Sequence, residues 1–396
     1  MKTINLFFSL LLLTFLASCV NEISSKRKTN LKDFKIDGYF KKFGSEFHAG
    51  IKMTKDKEEN TYLISEAEDD NINLLKLNRE LDTIWVKSMG GEELEFTSDI
   101  LFTPDQELIV LGDTRSFGAG KSDYYVNKVS LDGDVIWTKT FGSHKVEGSQ
   151  EIVYLGNDKY MILGTRLEEL EEPYPHSLYV VQIDRAGTLI FEKTMFNDFT
   201  KPGSSIANGN NDGVIILGTK RIREYRFHLV VMAFDEHLNE LWTLDLGETV
   251  KHSLAKIIKT SHGFLVVSSK PDDGVKILVT KISDEGKILW KKKFGDRTQS
   301  FGNSIKQVSE DEFLIFGPTI SFEDMDQDNF IAKITGEGEL IWQGIYGGHG
   351  YDNLRDGIKM DNGNYLFCGT KSFKTDIKDM QMVLLQLDEN GTPFEF

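Results

Sequence analysis

The sequence predicts an all-β fold, a seven-bladed β-propeller of four-stranded antiparallel blades whose ring is closed by the N-terminal strand. Three observations lead to this prediction. The phrase LDGDVIWTKTFG at 131–142 returns almost unchanged as DEGKILWKKKFG at 284–295. An aromatic residue recurs at a steady interval, and short apolar segments alternate with turns rich in Asp, Gly and Asn. Self-similarity at a fixed period is typical of repeat architectures.

The aromatic residue of the repeated phrase defines a column with a spacing of about 50 residues. Its members are Trp85, Trp137, Phe191, Trp242, Trp290 and Trp342. Glycine stands five positions later at Gly90, Gly142, Gly247, Gly295 and Gly347, and Phe196 replaces it once. Small drifts in the spacing are what a repeat with variable loops produces.

Each period contains four short segments that favour β-strands. In 296–347 these are GNSIKQV, FLIFG, NFIAKI and ELIWQGIYG, which are separated by turns or loops. Segments rich in Ile, Val, Phe and Tyr between Asp/Gly turns indicate strands. A sheet of about 50 residues cannot bury both faces alone, so radial stacking of such sheets is expected.

The ends of the chain predict how the ring closes. The last segment, GTPFEF, ends at Phe396 without the usual Phe-Gly, whereas GYFKKFG at 38–44 supplies an aromatic residue, Tyr39, and Gly44 at the expected spacing. We therefore expect the N-terminal strand to pair into the last blade, which removes open sheet edges. The second strands mostly end in glycine, as at Gly112, and glycine there allows close approach of a neighbouring backbone.

The N-terminal region predicts export and lipid anchoring. Residues 1–18 have one basic residue and a short apolar run, as a signal peptide does, and LASC at 16–19 matches a bacterial lipobox. The alternative is an ordinary signal peptide that happens to contain a cysteine. We expect palmitate or a similar acyl group on Cys19, a flexible tether over 19–35, and the propeller over 36–396. Val20 favours the outer membrane as the location.

Composition excludes some partners. The formal net charge of −16 at pH 7 disfavours nucleic acid as a partner. The second cysteine, Cys368, has no partner for a disulfide once Cys19 is acylated, and its apolar surroundings predict a buried, inert thiol. We expect a monomer held at the membrane by its lipid.

The Trp-x(4)-Gly endings and the Asp/Gly turns of 36–396 resemble the quinoprotein-like (PQQ/WD40-like) propeller repeats of bacterial lipoproteins, a largely uncharacterised family. The resemblance implies architecture and hardly any activity. Quinoprotein dehydrogenases use a vicinal disulfide beside their cofactor, and Cys368 has no cysteine next to it. The expectation is therefore that the protein uses no cofactor.

One face of the predicted propeller carries long, dissimilar loops, such as SFGAGKS, RLEELEEPYPHS and KRIREYRF, and is the expected binding face. Three inter-blade loops place a basic or imidazole side chain two residues after Phe/Tyr-Gly: His144, Arg297 and His349. Together these could meet an anionic or metal-bound ligand. The alternative is that they are exposed loop residues without a common function.

Two acidic segments are candidates for a metal site or a partner site. DMDQDN at 324–329 has oxygen ligands at alternate positions, but lacks the glycine and the glutamate of a calcium loop, so a solvated turn explains it and no metal site is predicted. The acidic run at 168–172 is interpreted as a solvated loop, with a basic partner as the alternative.

No catalytic motif is present: the sequence has no Gly-x-Ser-x-Gly, no His-Glu-x-x-His and no phosphate loop. The prediction is a lipid-anchored cell-envelope propeller that acts as a non-enzymatic binding or scaffold module for an envelope protein or glycan. The alternative is an envelope enzyme, a polysaccharide hydrolase or lyase, with its site in the axial channel.

Overall fold

The computed structural model describes residues 32–35, 37–44, 47–167, 176–199, 205–223, 226–250, 254–295, 299–321, 326–372 and 380–396. Regular structure in these ranges consists of β-strands and one 3-10 turn at Asp37–Tyr39. No helix in this part of the chain has the length and apolar character needed to cross a membrane. The all-β prediction is confirmed.

The strands form four-stranded antiparallel meanders, in which consecutive strands pair side by side. The first is β3 (Phe47–Lys55), β4 (Thr61–Ala67), β5 (Ile72–Leu77) and β6 (Thr83–Met89). The second is β7 (Glu95–Phe102), β8 (Leu108–Thr114), β9 (Asp123–Val129) and β10 (Val135–Phe141). The third is β11 (Val146–Gly156), β12 (Lys159–Leu167), β13 (His176–Asp184) and β14 (Leu189–Phe199).

The later meanders repeat this order. They are β15 (Ser205–Asn208), β16 (Val214–Arg223), β17 (Arg226–Phe234) and β18 (Glu240–Thr249), then β19 (Lys256–Lys259), β20 (Phe264–Asp272), β21 (Gly274–Ile282) and β22 (Ile288–Phe294). After the short β23 (Gln299–Ser300) come β24 (Ser304–Gln307), β25 (Glu312–Ile320), β26 (Gln327–Thr335) and β27 (Leu340–Gly347). The last meander is β28 (Asp352–Lys359), β29 (Tyr365–Ser372), β30 (Met380–Leu387) and, from the N-terminus, β2 (Phe40–Lys42).

The first strands of the meanders contact one another in a closed ring, in the order β3, β7, β11, β15, β19, β24, β28 and back to β3. These are the inner strands. Apolar side chains of adjacent meanders interlock between the sheet faces, so the core is a set of clusters arranged around the ring rather than one central cluster. This arrangement is a β-propeller.

The predicted closure by the N-terminal strand is present. β2 pairs antiparallel with β30, with Phe40 opposite Leu385 and Lys42 opposite Val383. The preceding strand, β1 (Lys32–Lys35), lies within the segment predicted as a tether and pairs in parallel with the outer strand β27. The N-terminal chain therefore contacts the outer edges of two neighbouring meanders.

The predicted number of blades is wrong. The strands pair into five hydrogen-bonded sheets, so by hydrogen bonding the propeller has five blades and not seven. Three sheets are single four-stranded meanders, whereas the other two have eight and ten strands because neighbouring meanders are bonded together. Phe199 of β14 pairs with Lys220 of β16, and Gln299 of β23 pairs with both Val275 of β21 and Ile320 of β25.

The repeated phrase has a packing role between meanders. On five outer strands, the tryptophan ring lies against the turn glycine of the next meander. A Cβ added to Gly338 would lie 2.7 Å from Trp290 Cη2, and one added to Gly391 would lie 2.8 Å from Trp342 Cε3. These glycines have positive φ, 72° and 77°, which favours glycine in the turn. The phrase thus encodes a contact between two neighbouring meanders.

The glycines that end most second strands have the predicted role. A Cβ on Gly112 would lie 2.2 Å from the carbonyl oxygen of Phe96, and one on Gly369 would lie 2.2 Å from that of Asn353. The first strand therefore approaches the second too closely for a side chain at this position.

One segment of the predicted loop face is different in the structure. KRIREYRF was predicted as a long loop, but β16 extends to Arg223 and β17 begins at Arg226, so most of this segment is a hairpin. In the same way, β20 extends to Asp272 and β21 begins at Gly274. Charged side chains such as those of Arg221 and Lys270 did not indicate strand, yet strand pairing continues through them.

Candidate functional site on the inner strands

The inner strands place one side chain each at the same register position. Every member lies opposite an apolar residue of the second strand, and this apolar residue is followed directly by a glycine or a serine of that strand. We call this set the inner polar ring, and its members are Lys52, Asp99, Glu151, Ser205, Lys256, Ser304 and Asp356. Because the inner strands face each other around the ring, the register brings polar groups from all meanders toward the centre.

β-Bulges help to orient these side chains. The register shifts by one residue directly before four members of the inner polar ring: Lys52, Asp99, Glu151 and Asp356. A bulge bends the strand and changes the direction of the side chain that follows it, and bulges are frequent next to functional sites. Residues that follow ring members, such as Ile152 and Ile206, are buried in the apolar clusters.

Side chains of the inner polar ring accept backbone hydrogen bonds from the next meander. The N–H of Ile152 donates to Asp99 Oδ2 (3.1 Å), and the N–H of Ile206 donates to Glu151 Oε2 (3.2 Å). The equivalent bond to Ser205 Oγ comes from Ile257 N–H (3.3 Å).

The same bond occurs where the last meander meets the first. The N–H of Met53 in β3 donates to Asp356 Oδ2 (3.1 Å) in β28. Since these donors and acceptors belong to different meanders, the bonds fix each inner strand against its neighbour.

The charges at the centre are paired. Asp356 is almost completely buried and lies 2.7 Å from Lys306 Nζ, which comes from β24, and 3.9 Å from Lys52 Nζ. Glu151 pairs with Lys256 and accepts a hydrogen bond from Ser205 Oγ (2.8 Å). Asp99 interacts electrostatically with Lys52 and Lys256, so three lysines and three carboxyl groups form one network that connects six meanders.

The network sets the protonation of its members. Burial would raise the pKa of Asp356, but Lys306 and Lys52 lower it below its ordinary value. At Glu151, burial would likewise raise the pKa, but Lys256 and Lys52 lower it below its ordinary value. These two carboxylates are therefore charged at neutral pH.

The pKa values of two other members, Asp99 and Lys256, shift so that the neutral form is favoured. Burial raises the pKa of Asp99, and Glu151 adds to the increase, against the attraction of Lys52 and Lys256. Burial lowers the pKa of Lys256 although Glu151 stabilises its charge. A carboxyl group with raised pKa beside one with lowered pKa is an arrangement that acid–base enzymes use, and it also occurs in structural ion networks.

The residues predicted for the loop face are not brought into this network. His144 and His349 are exposed and lie in equivalent loops, after β10 and β27. Arg297 lies outside the described residues, as does Cys19. No group of three or more His, Cys, Asp or Glu side chains that could hold a metal ion occurs in the described ranges.

The acidic segments are partly described. Residues 168–172, 324 and 325 lie outside the described ranges. Asp326 Oδ1 accepts the N–H of Gly350 (3.0 Å), and Asp328 is completely buried in β26. The interpretation of Asp328 as part of a solvated turn is therefore wrong: the residue lies against Gly347, where a Cβ would be 1.9 Å from Asp328 Oδ1.

Cys368 is buried and free, as predicted, and burial raises the pKa of its thiol well above the usual value. It lies opposite Asp356 in the register of β28 and β29. A thiol with a raised pKa is a poor nucleophile, because the thiolate is the reactive form.

The inner polar ring was missed by the sequence analysis. Its signal was available: a polar residue interrupts the first apolar segment of each period, as in IKM at 51–53, SDI at 98–100 and QEI at 150–152. A single polar residue in a short strand also fits a solvent-facing position of an ordinary sheet. Only the closed ring shows that these positions converge.

Comparison with known proteins supports the fold. No family model matches this chain, and no curated protein matches it. Among solved structures it is similar to puromycin hydrolase (TM-score 0.53, 10% identity, 88% of this chain and 53% of that chain). It is also similar to BBS1N, solved in complex with ARL6DN (TM-score 0.50, 9% identity, 90% of this chain and 97% of that chain).

A protein of unknown function from Dyadobacter fermentans aligns over 88% of this chain and 100% of its own at 12% identity, with a TM-score of 0.47. At these identities the likenesses concern the fold alone, and the fold is a β-propeller. The resemblance to quinoprotein-like lipoprotein repeats finds no family-level match.

Proposed function

We propose that this protein is a lipid-anchored, non-enzymatic binding or scaffold module of the cell envelope, whose partner is an envelope protein or a glycan. The observation that carries the proposal is the pairing within the inner polar ring. Asp99, Glu151 and Asp356 accept backbone N–H groups of neighbouring strands, and lysines neutralise Glu151 and Asp356. Groups used in this way hold the scaffold together, which leaves recognition to the loops on the outside.

The loop face supports a recognition role. The segment 115–122 between β8 and β9 is ordered by Asp123, whose Oδ2 accepts the N–H groups of Ala119 (3.0 Å) and Gly120 (2.9 Å). It presents Phe117, which is 44% exposed and stacks on Tyr125 at 5.7 Å. A rigid loop with an exposed aromatic side chain is a common element of protein and glycan recognition.

The membrane anchor in this proposal depends on the sequence of residues 1–19. Acyl chains on Cys19 would hold the propeller at the membrane without a spanning segment. Metabolic labelling with palmitate tests the anchor. The full-length protein should incorporate label, and the Cys19→Ser protein should not; labelling that persists in the variant would refute the anchor.

The binding role is tested by cross-linking and purification of the full-length protein from detergent-solubilised envelope. We expect one protein or glycan in stoichiometric amount. The Phe117→Ala protein should capture several-fold less of it, because the exposed ring is lost. Asp132→Ala, an exposed substitution in the turn between β9 and β10 on the opposite face, serves as the control. Equal capture by both variants, or no partner at all, would overturn the proposal for this face.

An enzyme with its site at the propeller centre is the second candidate. The divergent pKa values of Asp99 and Glu151 favour it. It predicts that the purified propeller cleaves an envelope polysaccharide, and that Asp99→Asn lowers the rate at least 100-fold, a typical contribution of general acid–base catalysis. Absence of glycan turnover by a correctly folded protein would exclude this candidate.

A further inference from the structure

Tryptophans at five meander boundaries contact the turn glycine of the next meander. Two of them also donate a hydrogen bond to that turn, whereas the buried Nε1 of Trp290 has no hydrogen-bond partner. Trp242 Nε1 donates to the carbonyl oxygen of Asp284 (3.1 Å), and Trp342 Nε1 donates to that of Glu389 (2.9 Å). In both cases the acceptor lies two residues before the turn glycine of the next meander, which itself contacts the indole. Each indole ring thus fills a defined space between its own meander and the next turn.

At the boundary between the last and the first meander, the aromatic position belongs to Tyr39. This residue ends the 3-10 turn before β2, and its ring packs on Phe34 (6.2 Å, edge to face) and on the cluster that contains Tyr346 and Phe40. That cluster lies between the last two meanders. The ring of Tyr39 is therefore directed backward, away from the first meander.

A cavity of about 260 Å³ lies at this boundary. Its apolar wall consists of Leu81, Met360 and Leu366, which also belong to the cluster between the last and the first meander. Gln386 lines it as well; by the register of β2 and β30, this is the residue opposite the aromatic position. Leu81 holds the turn position that contacts the indole ring at the five boundaries with tryptophan, so the cavity lies where that ring would lie.

The turn at this boundary is also modified. Leu81, with φ of 64°, stands where five of the other turns have glycine, and Arg79 stands two residues before it. The carbonyl group of Arg79 is thus equivalent to those of Asp284 and Glu389, which accept the indole N–H groups. Arg79 and Glu59 form the polar edge of the cavity.

Loss of tryptophan alone does not create such a cavity. The boundary after β14 has Phe191 in the aromatic position and Leu238, with φ of 55°, in the turn. There the two side chains share one cluster, so the larger turn residue compensates for the smaller ring. At the first meander, Tyr39 packs on the cluster on the other side of β30. The aromatic side chain that packs on the cluster of Leu81 is instead Phe43, which follows β2.

We propose that this cavity, the indole slot, binds an indole ring from outside the chain. The ring lies against Leu81, Met360 and Leu366 and donates its N–H to the carbonyl oxygen of Arg79. The volume suits a ligand smaller than a typical drug, whose pockets begin at about 300 Å³. The source of the ring is either a small indole compound or a tryptophan side chain of a partner.

Methyl NMR of the methionine-labelled protein tests the proposal. On titration with indole, the Met360 methyl signal, assigned with Met360→Leu, should shift because an aromatic ring lies beside it. Met195 is the matched control: it is 8% exposed against 6% for Met360, and it lies at the boundary filled by Phe191. No shift of Met360 at millimolar indole, or equal shifts of both methyl groups, would overturn the proposal.

Ligand controls separate the parts of the proposal. 1-Methylindole keeps the ring but lacks the N–H donor, so it should bind roughly 2- to 10-fold more weakly, as expected for one lost hydrogen bond; equal affinity would refute the bond to Arg79. Leu81→Phe, which fills the slot, should abolish the Met360 shift while the circular dichroism spectrum stays unchanged. Tighter binding of N-acetyltryptophanamide than of indole assigns the ring to a partner's tryptophan, and the reverse order assigns it to a small molecule.

Discussion

Removal of the Asp356 carboxylate should destabilise the propeller at the boundary where the ring closes. Asp356 is about 1% exposed and connects three strands: it accepts the N–H of Met53 in β3 at 3.1 Å and pairs with Lys306 in β24 at 2.7 Å and with Lys52 at 3.9 Å. Asp356→Ala leaves a buried N–H group without its acceptor, removes the carboxylate that pairs with Lys306, and leaves Lys52 with only the charges of Asp99 and Glu151. No neighbouring side chain of the inner polar ring replaces both functions.

The size of the effect can be worked from these contacts. A buried N–H group without an acceptor costs about 1–3 kcal/mol. Removal of one partner of a fully buried ion pair costs about 3–5 kcal/mol, and less is expected here because the side chains of Lys52 and Lys306 are 19% and 30% exposed. We expect a loss of about 3 kcal/mol in the free energy of unfolding. With about 2.1 cal/mol/K of unfolding entropy per residue, the melting temperature should fall by roughly 4 °C.

Urea unfolding followed by circular dichroism measures this loss. Asp356→Asn keeps an oxygen that can accept the Met53 N–H but removes the charge, so it should lose less than Asp356→Ala. Asp361→Ala is the surface control, since that side chain is 72% exposed and pairs with Lys55, and it should cost under about 0.5 kcal/mol. A loss below about 1 kcal/mol for Asp356→Ala would refute the view that the inner polar ring stabilises the fold.

Two further predictions concern other boundaries. Burial raises the pKa of Asp352 to about 7, although Lys371 lies 2.8 Å away and attracts the carboxylate. The folded protein therefore binds this proton more tightly than the unfolded chain does. As a result, the contribution of Asp352 to stability falls as the pH rises from about 4 to about 7. Lys371→Met should strengthen this trend and cost more at pH 8 than at pH 5 in urea unfolding; equal losses at both pH values would contradict the assignment. Gly338→Ala should destabilise more than Gly363→Ala, by at least about 1 kcal/mol in thermal unfolding. Both glycines have positive φ, but only at Gly338 would the new methyl group meet Trp290; equal costs would show that this contact is not selective.

The local structure could be read from the sequence because it depends on nearby residues. The alternation of apolar segments and Asp/Gly turns predicted the meanders, and the Trp-to-Gly spacing marked where an outer strand ends. GYFKKFG, out of place at the start of the chain, predicted the pairing of β2 with β30. In each case the signal and the structure that it specifies are close in sequence or belong to the same repeat.

The blade count depends on contacts that the repeat does not specify. Neighbouring meanders are joined through a single pair at Phe199 and Lys220, and through the two-residue strand β23. Such short bridges depend on how far an outer strand extends, which no turn or apolar period defines. The sequence therefore predicted the repeating unit and gave the wrong number of hydrogen-bonded sheets.

The candidate site, the inner polar ring, was not predicted from the sequence for a different reason. Lys52, Asp99, Glu151, Lys256 and Asp356 are spread over most of the chain, and no two are close enough in sequence to form a recognisable motif. Their common feature is a register position, opposite the residue before a second-strand glycine, and this position becomes significant only when the inner strands form a ring. The indole slot is hidden in the same way, since it depends on the direction of the Tyr39 ring.

The most direct test of the account is whether the N-terminal strand closes the ring. Deletion of residues 32–44 removes β1 and β2, which pair with β27 and β30, and the matched control deletes residues 20–31. The account predicts that the first protein melts several degrees lower and loses hydrogen-exchange protection in β30, while the control melts like the full chain. Equal melting temperatures and unchanged protection of β30 in both deletions would contradict it.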